Sequence, residues 1–277
     1  IKPVFEFDGR TIIWRHQKRS GDQQSTFTLW RADADPNAAT GWRVRDLTSF
    51  EASTPSGVNS IMAGLAADPN VVACGEDVAW TYRPPADIPA DIPAQYRGYM
   101  ALAQEVVLGA HDGDEAREIT RGDLHPLALA VSGGTVAWIE FEDADSGDLT
   151  HIQSETDSRR RTIKTVPDPP GQAPAGSQHW RSPNGLFAHG SDVLWVEERV
   201  QCTPANLPGI PNGCLYMPPE EWGVFSSTAP ARPQRMESVG DFLLNGSFDR
   251  GRYAWRAFDN SIRTTMLIGG LADSGGL

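Results

Sequence analysis

A short string that runs from glycine to tryptophan recurs along the chain, and this recurrence constrains the fold more than any other feature. Four copies are plainly alike, and the fifth has its glycine displaced by a longer turn: GRTIIW at 9–14, GEDVAW at 75–80, GGTVAW at 133–138, GSDVLW at 190–195 and RGRYAW at 250–255. The five tryptophans are 66, 58, 57 and 60 residues apart. A regular spacing of this size indicates a fold assembled from repeated units.

Each copy has the pattern of one four-stranded unit. An apolar strand precedes the glycine, the glycine supplies the backbone angles of a tight turn, and a second strand ends at the tryptophan. Third strands are predicted at 26–31, 105–110, 149–155, 222–227 and 262–267, and three fourth strands end at Thr48, Thr120 and Val166. None of these segments has helical periodicity, so the sequence predicts an all-β fold. The period matches a β-propeller of about five four-stranded blades.

The repeats predict a single propeller domain over 1–277. Its blades are expected at about 1–48, 68–120, 126–166, 185–236 and 239–277. The last repeat is thin, because little more than IGGLADSGGL follows its third strand. Either the N-terminal segment helps to close the ring or the chain is a fragment of a larger propeller. Closure is favoured because it leaves no open sheet edge.

The motifs also carry a family resemblance. The glycine turn with its apolar-apolar-aromatic strand is followed by a later strand that closes on Leu-Thr or Ile-Thr, as at 47–48 and 119–120. This combination resembles the TolB-like (WD40-like) β-propeller repeat family over most of the chain. The resemblance implies the fold, and the family includes periplasmic binding and scaffold proteins, surface proteins and non-catalytic propellers of prolyl-oligopeptidase-like enzymes. The chain has no room for a hydrolase domain and no G-x-S-x-G motif.

Charge and cysteine content limit the partners and the compartment. The net charge of −12 argues against nucleic acid, and no apolar run is long enough for a membrane span. The chain begins at IKPVFEFDG without Met, which favours a processed N-terminus. Cys202 and Cys214 frame a loop rich in Pro and Gly and are predicted to form a disulfide, which favours a secreted, periplasmic or cell-surface protein. Cys74 is expected to be a buried small apolar residue.

Loop lengths predict where a ligand binds. In a propeller the loops between strands two and three share one face with the connections between blades. Nearly all long segments of this chain fall there, and we call this the loop-rich face: 83–98, 199–213, 49–70 and 167–184. Binding residues on β scaffolds usually lie on such loops. The alternative is that these loops decorate a stable ring.

Two groups of residues are candidates for ligand binding. The repeat tryptophans are predicted to pack between blades. Two positions beyond them, on the same side of the strand and near the loop-rich face, lie His16, Tyr82, Glu140 and Glu197. A second group, His179, Trp180 and Arg181, falls in the long connection at 167–184, although it is also interpretable as the lead-in to a strand. Glu140 and Glu197 alone resemble a pair of acid/base carboxylates, and no catalytic residue is assigned.

One acidic string and one basic string remain. Asp143, Asp145 and Asp148 alternate as calcium ligands do, but the closing Glu of an EF-hand loop is absent, so an acidic hairpin turn is the alternative. No other cofactor is predicted. The arginines at 159–161 are placed in a turn away from the loop-rich face and are expected to be solvated.

These observations predict an exported, non-catalytic β-propeller that binds a protein, peptide or glycan through its loop-rich face. One alternative is a carbohydrate-active hydrolase or lyase with its site over the central channel. Another is a structural subunit of a larger surface assembly. The lack of a catalytic signature favours binding and leaves enzymatic activity open.

Overall fold

The fold was obtained as a computed structural model, and the described residues are almost all in β-strands. Those residues are 5–7, 10–20, 24–54, 69–89, 91–112, 115–142, 149–167, 178–207, 210–216, 221–228, 234–236, 247–249, 252–256 and 262–266. The chain divides into two compact units, Ile1–Val136 and Ala137–Leu277. The all-β prediction is confirmed. Within the described ranges no helix is long and apolar enough to span a membrane.

Unit 1 contains two four-stranded antiparallel sheets, each with its strands in chain order. The first sheet consists of β1 (Phe5–Phe7), β2 (Thr11–Arg19), β3 (Gln24–Ala34) and β4 (Trp42–Ser53). The second consists of β5 (Asn70–Cys74), β6 (Asp77–Tyr82), β7 (Val106–Asp112) and β8 (Glu115–Gly122), and helix α1 (Ala94–Leu102) lies between β6 and β7 in the chain.

A third four-stranded sheet has the same order and ends in unit 2. Its strands are β9 (Leu124–Ser132), β10 (Thr135–Glu142), β11 (Leu149–Thr156) and β12 (Arg159–Pro167). The fourth sheet follows the order β13-β14-β16-β17, with β15 paired to β14: β13 (Gln178–His189), β14 (Asp192–Leu207), β15 (Ile210–Tyr216), β16 (Glu221–Ser226) and β17 (Gln234–Met236). The last sheet has three strands in the described residues: β18 (Ser247–Asp249), β19 (Arg252–Arg256) and β20 (Ile262–Met266).

The predicted hairpins are present in all five repeats, and all five predicted third strands are observed. In the third repeat Gly133 and Gly134 adopt φ of 56° and 72°, the left-handed angles that a two-residue hairpin turn requires at both positions. Across the hairpins Trp80 lies opposite Val71, and Trp195 lies opposite Leu186. The glycine therefore sets the register that places each tryptophan against an apolar neighbour.

A β-bulge recurs at the same place in the first three sheets. The register between the third and fourth strands shifts after Leu29, Leu108 and Ile152. Each shift leaves one extra residue on the fourth strand, and all three are half-buried and apolar: Leu47, Ile119 and Ile163. Leu47 and Ile119 belong to the Leu-Thr and Ile-Thr motifs on which the family resemblance rests. The fourth strands were expected to end there, but β4 continues to Ser53 and β8 to Gly122, so the motif marks a bulge rather than a strand end.

Two expected loops are in fact strands. The segment CTPANLPGIPNGC was predicted to be irregular, but β14 continues to Leu207 and pairs with β15 as a hairpin. The expected connection at 167–184 ends earlier, because β13 begins at Gln178. Pro and Gly are tolerated in a two-stranded extension since few of its backbone N–H groups need a partner in a wider sheet. Helix α1 is a further departure, as no helix was expected.

The prediction that the repeat tryptophans pack between sheets is confirmed for Trp80. Its side chain is 4% exposed and belongs to a cluster with residues of the first sheet, including Ile13 and Leu29. Phe50 of β4 stacks on the indole with ring centroids 6.2 Å apart. Trp138 and Trp195 are buried as well, whereas Trp14 is half-buried and stacks on Trp30 of its own sheet. The side chain of Trp255 lies outside the described residues.

Cys74 contradicts its prediction. Its side chain is exposed rather than buried, because it ends β5 directly before the turn at Gly75. The thiol lies 3.6 Å from the hydroxyl of Ser132.

Candidate functional site

The two candidate residues of unit 1 have different surroundings. His16 is exposed on β2, opposite Thr28. Tyr82 is half-buried, and its ring centroid lies 4.3 Å from that of Phe50. Burial raises the pKa of the Tyr82 hydroxyl, and the Glu118 carboxylate adds to the effect. Tyr82 thus packs with the cluster between the two sheets, and no hydrogen bond or ring contact among the described residues joins it to His16.

Glu197, in unit 2, is fully buried. One of its oxygens, Oε1, accepts hydrogen bonds from Lys164 Nζ at 2.6 Å and from Trp195 Nε1 at 2.7 Å. The other oxygen, Oε2, is buried without a hydrogen-bond partner in the described part of the chain. Burial raises the pKa of Glu197, and the Lys164 ammonium and the Trp195 N–H oppose that rise only in part.

Lys164 connects two sheets at this point. It lies on β12, and its ammonium sits 3.8 Å from the ring centroid of Phe225 and 5.7 Å from that of Trp195. Trp195 and Phe225 are directly opposite each other on β14 and β16 and stack at 5.8 Å. A cation held over two aromatic faces and a carboxylate is a strongly fixed arrangement.

Glu140 has the same spacing from its tryptophan as Glu197 but another partner. It forms an ion pair with Arg160, whose guanidinium lies 5.1 Å from the ring centroid of Trp138. Trp138 Nε1 is buried and has no hydrogen-bond partner among the described residues. The structure therefore gives both predicted acid/base carboxylates a cation from β12, and only Glu140 retains solvent exposure.

The residues His179, Trp180 and Arg181 are in a strand. They belong to β13 and lie opposite Val200, Arg199 and Glu198 of β14. The pairing becomes irregular between Arg181 and Gly185, which accommodates the proline at 183. The prediction that these residues lie in a loop was wrong, and the alternative, that they lead into a strand, is confirmed. The side chains of these residues lie outside the description, so a binding role stays a prediction.

The predicted calcium ligands Asp143, Asp145 and Asp148 also lie outside the described residues. Elsewhere, in the ranges that the structure does describe, no group of three or more His, Cys, Asp or Glu is arranged to hold a metal ion. Cys202 and Cys214 lie on neighbouring strands, opposite Tyr216 and Pro204 respectively. Their backbones are thus two residues out of register, and the disulfide stays a prediction because their side chains are not described.

Helix α1 carries a surface that the sequence did not reveal. Tyr96 and Met100 are 54% and 36% exposed and lie one helical turn apart, so they share a face of the helix. The helix is anchored at its start, where Tyr96 N donates to Pro93 O at 2.9 Å and Arg97 Nε donates to Ile92 O at 2.8 Å. The one indication of this helix in the sequence was that no proline follows Pro93 in the segment, which otherwise has the composition of a loop.

The geometry defines a class of protein: an all-β chain of repeated antiparallel sheets, three of which are four-stranded meanders. No protein-family model matches the sequence, and no curated protein matches it.

Among solved structures, the β-propeller domain of the Trilobed protease from Pyrococcus furiosus, which has an open velcro topology, is 6% identical with a TM-score of 0.38. That match covers 97% of this chain and 81% of the other. The GH43_1 enzyme from Xanthomonas citri complexed with xylotriose is 12% identical with a TM-score of 0.28, over 94% and 89% of the two chains. Similarities at this level carry no argument about fold or function.

Proposed function

We propose that the chain is an exported β-propeller of about five TolB-like blades that binds a partner protein through its loop-rich face. The repeated sheets, the recurrent bulge and the tryptophan between the first two sheets support a ring of blades. No function follows from such a ring by itself, because propellers serve many roles. The proposal therefore rests on one surface.

The observation that carries the proposal is the exposed pair Tyr96 and Met100 on α1. This helix is inserted between the second and third strands of its sheet, which is the end of the blade where the loop-rich face is expected. Tyr and Met are enriched in the centres of protein interfaces, since a large amphipathic ring and a polarisable thioether adapt to a partner surface. A pair of such residues spaced by four positions presents one apolar anchor site to a partner.

The charges around α1 indicate the chemistry of that partner. The carboxylates of Asp87, Asp91 and Glu105 are exposed near the two ends of the helix segment. The whole chain carries a net charge of −12. We therefore propose a peptide segment with an apolar side chain flanked by Lys or Arg, for which charge complementarity accelerates association and excludes acidic competitors.

A peptide library displayed on phage tests this surface. Peptides selected on the purified chain are synthesised, and their affinities are measured by fluorescence polarisation for the wild type and for a Y96S/M100S variant. We expect selected peptides to combine an apolar residue with basic ones and to bind the variant at least tenfold more weakly. Val44→Ser is the matched control, because Val44 is 53% exposed on β4 and lies outside the loop-rich insertions.

Peptides that bind Y96S/M100S as well as the wild type would overturn the proposed surface. Binding to a glycan array, with no peptide selected, would overturn the class of partner. The hydrolase alternative is tested on polysaccharide substrates, where turnover that is lost in Glu140→Gln or Glu197→Gln would replace binding by catalysis. The native particle size, measured by light scattering, tests the structural-subunit alternative.

A further inference from the structure

Two clefts occupy corresponding positions in the repeat, one in each unit. The cleft of unit 1 has a volume of about 360 Å³ and that of unit 2 about 390 Å³. Each is lined by three arginines and two carboxylates. In unit 1 these are Arg10, Arg31, Arg45, Asp33 and Glu76; in unit 2 they are Arg159, Arg160, Arg161, Asp157 and Asp192. The two clefts thus have the same charged groups, and any difference lies in how those groups are arranged.

The strand registers show which residues correspond. The bulge precedes Trp30 in the first sheet and Gln153 in the third, so the next residues, Arg31 and Ser154, are equivalent. Across the strands Arg31 pairs with Arg45, and Ser154 pairs with Arg161. At this equivalent position of the third strand, unit 1 therefore has a long cationic side chain and unit 2 has a small hydroxyl.

In unit 1 the buried arginine of the cleft is held by groups of both sheets. Arg31 is 4% exposed. Its Nε donates to Asp33 Oδ1 at 2.7 Å, and its Nη1 donates to Glu76 O in the turn of the next sheet at 3.0 Å. Thr11 Oγ1 also donates to Asp33 Oδ1, at 3.2 Å. One guanidinium thus spans both sheets, and its N–H groups are used within the protein.

In unit 2 the residue at the position of Arg31 is Ser154, whose side chain is too short to span the cleft in this way. The hydroxyl of Ser154 accepts from Arg161 Nε at 3.3 Å, while Arg160 is turned toward Glu140 and Trp138. Among the described residues, neither Asp157 nor Asp192 forms an ion pair, and Arg159 has no carboxylate partner. Both signs of charge remain available to a ligand.

The turn at the edge of this cleft departs from the other described hairpins. Asp157 and Ser158 have φ of 51° and 60°, and they alone among the described non-glycine residues have positive φ. Glycine would relieve the strain of these left-handed angles, as it does at the turns of the other sheets. Backbone strain of this kind clusters at functional sites, and the left-handed turn places the Asp157 carboxylate on the cleft wall.

We propose that the cleft of unit 2 binds a small sugar that carries an anionic group. Arginines recognise a phosphate or carboxylate through paired, charge-assisted hydrogen bonds. The carboxylates of Asp157 and Asp192 accept from sugar hydroxyls, and the hydroxyl groups of Ser191 and Thr228 on the same wall add further partners. A bare inorganic anion would be repelled by the two carboxylates, and a neutral sugar would give the Arg159 guanidinium no anionic partner. The volume of the cleft is within the range of small-molecule sites.

Isothermal titration calorimetry on the whole chain tests this site with four probes. Glucose 6-phosphate and glucuronate carry the anion as a phosphate ester or as a carboxylate, and the stronger of the two identifies the acidic group. We expect glucose and inorganic phosphate to bind at least tenfold more weakly than that probe. No heat of binding from either acidic sugar, or equal affinity for glucose, would overturn the proposal.

The structure provides a matched set of variants. Ser154→Arg gives unit 2 the long side chain that spans the sheets in unit 1; because that side chain would occupy space beside Arg161, we expect at least a tenfold loss of affinity. R159Q/R161Q removes two positive charges without filling the cleft. If circular dichroism shows that Ser154→Arg does not fold, the affinity of R159Q/R161Q decides the test. Arg45→Gln, at the position in unit 1 equivalent to Arg161, is the control and should bind as the wild type does. Unchanged binding in both unit 2 variants would refute the site. Peptide binding at α1 is a separate measurement, so either proposal can fail without the other.

Discussion

Gly109 lies directly opposite Trp80 in the second sheet, and its missing side chain makes room for the indole. A Cβ built at this position would lie 2.6 Å from Trp80 Cε2 and 2.7 Å from Cζ2. Those distances are well inside van der Waals contact, so either the ring or the strand must move. The corresponding residue is aromatic in two other sheets, where Trp30 lies opposite Trp14 and Phe225 opposite Trp195.

The indole of Trp80 has little freedom to retreat, and this sets the size of the effect. It is stacked on Phe50 and packed among buried residues of both sheets. Overpacking of a close-packed core costs about 1–3 kcal/mol. Replacing a glycine removes freedom from the unfolded chain and returns about 0.4–1 kcal/mol. Because the clash is with a rigid ring, we expect Gly109→Ala to lower the free energy of unfolding by about 2 kcal/mol.

Urea unfolding followed by tryptophan fluorescence, together with calorimetry, measures this loss. A change of that size corresponds to a fall in Tm on the order of 5 °C. Gly122→Ala is the control, since a Cβ there meets no atom within 4 Å, and its stability should stay within about 0.5 kcal/mol of the wild type. A Trp80→Phe background tests the cause: the smaller ring should reduce the cost of Gly109→Ala. If Gly109→Ala is as stable as the wild type, or if the cost is the same in both backgrounds, the proposed clash is refuted.

Two further predictions follow from the ionisable and sulfur-containing side chains. Burial raises the pKa of Glu197 above its ordinary value of 4.5. The stabilisation that comes from protonated Glu197 is therefore fully present below pH 4.5 and is lost as the pH rises through the raised pKa. Urea titrations between pH 4 and pH 8 should show the wild type losing stability relative to Glu197→Gln, and a constant difference would contradict this. For the cysteines, we expect one titratable thiol, Cys74, in chain purified under oxidising conditions and three after reduction and unfolding. Three thiols without reductant would contradict the disulfide between Cys202 and Cys214.

The sheets were predictable from sequence because their signals are local. A glycine with positive φ, two polar neighbours and a run of apolar residues that ends at tryptophan are all contained in the six residues from Gly75 to Trp80. Strand parity correctly placed Tyr82 and Glu197 on the same side as their tryptophans, since the side-chain period of a strand is fixed. Strand parity could not predict which residues contact Tyr82 and Glu197. Phe50 and Lys164 come from the preceding sheets, and only tertiary packing brings them there.

The features that were missed have the composition of loops. The arm formed by β14 and β15 contains Pro204, Pro211 and Gly213, a composition that indicates a turn unless the second strand is known. Helix α1 is nine residues long, and an isolated helix of that length is marginal in water. It is held instead by hydrogen bonds to residues 92 and 93, which the sequence does not predict.

The repeat itself shows where function is to be sought. The bulge and the hairpin turns keep the same backbone positions while the side chains at those positions differ, as between Arg31 and Ser154. Where the repeat keeps a long cation, that cation completes the contact between sheets. Where it substitutes a small hydroxyl, the same backbone positions line a cleft in which Asp157, Asp192 and Arg159 form no ion pair with another described residue. A side chain that departs from its equivalents in a repeat removes a structural contact, and such a position is therefore the place to search for a ligand site.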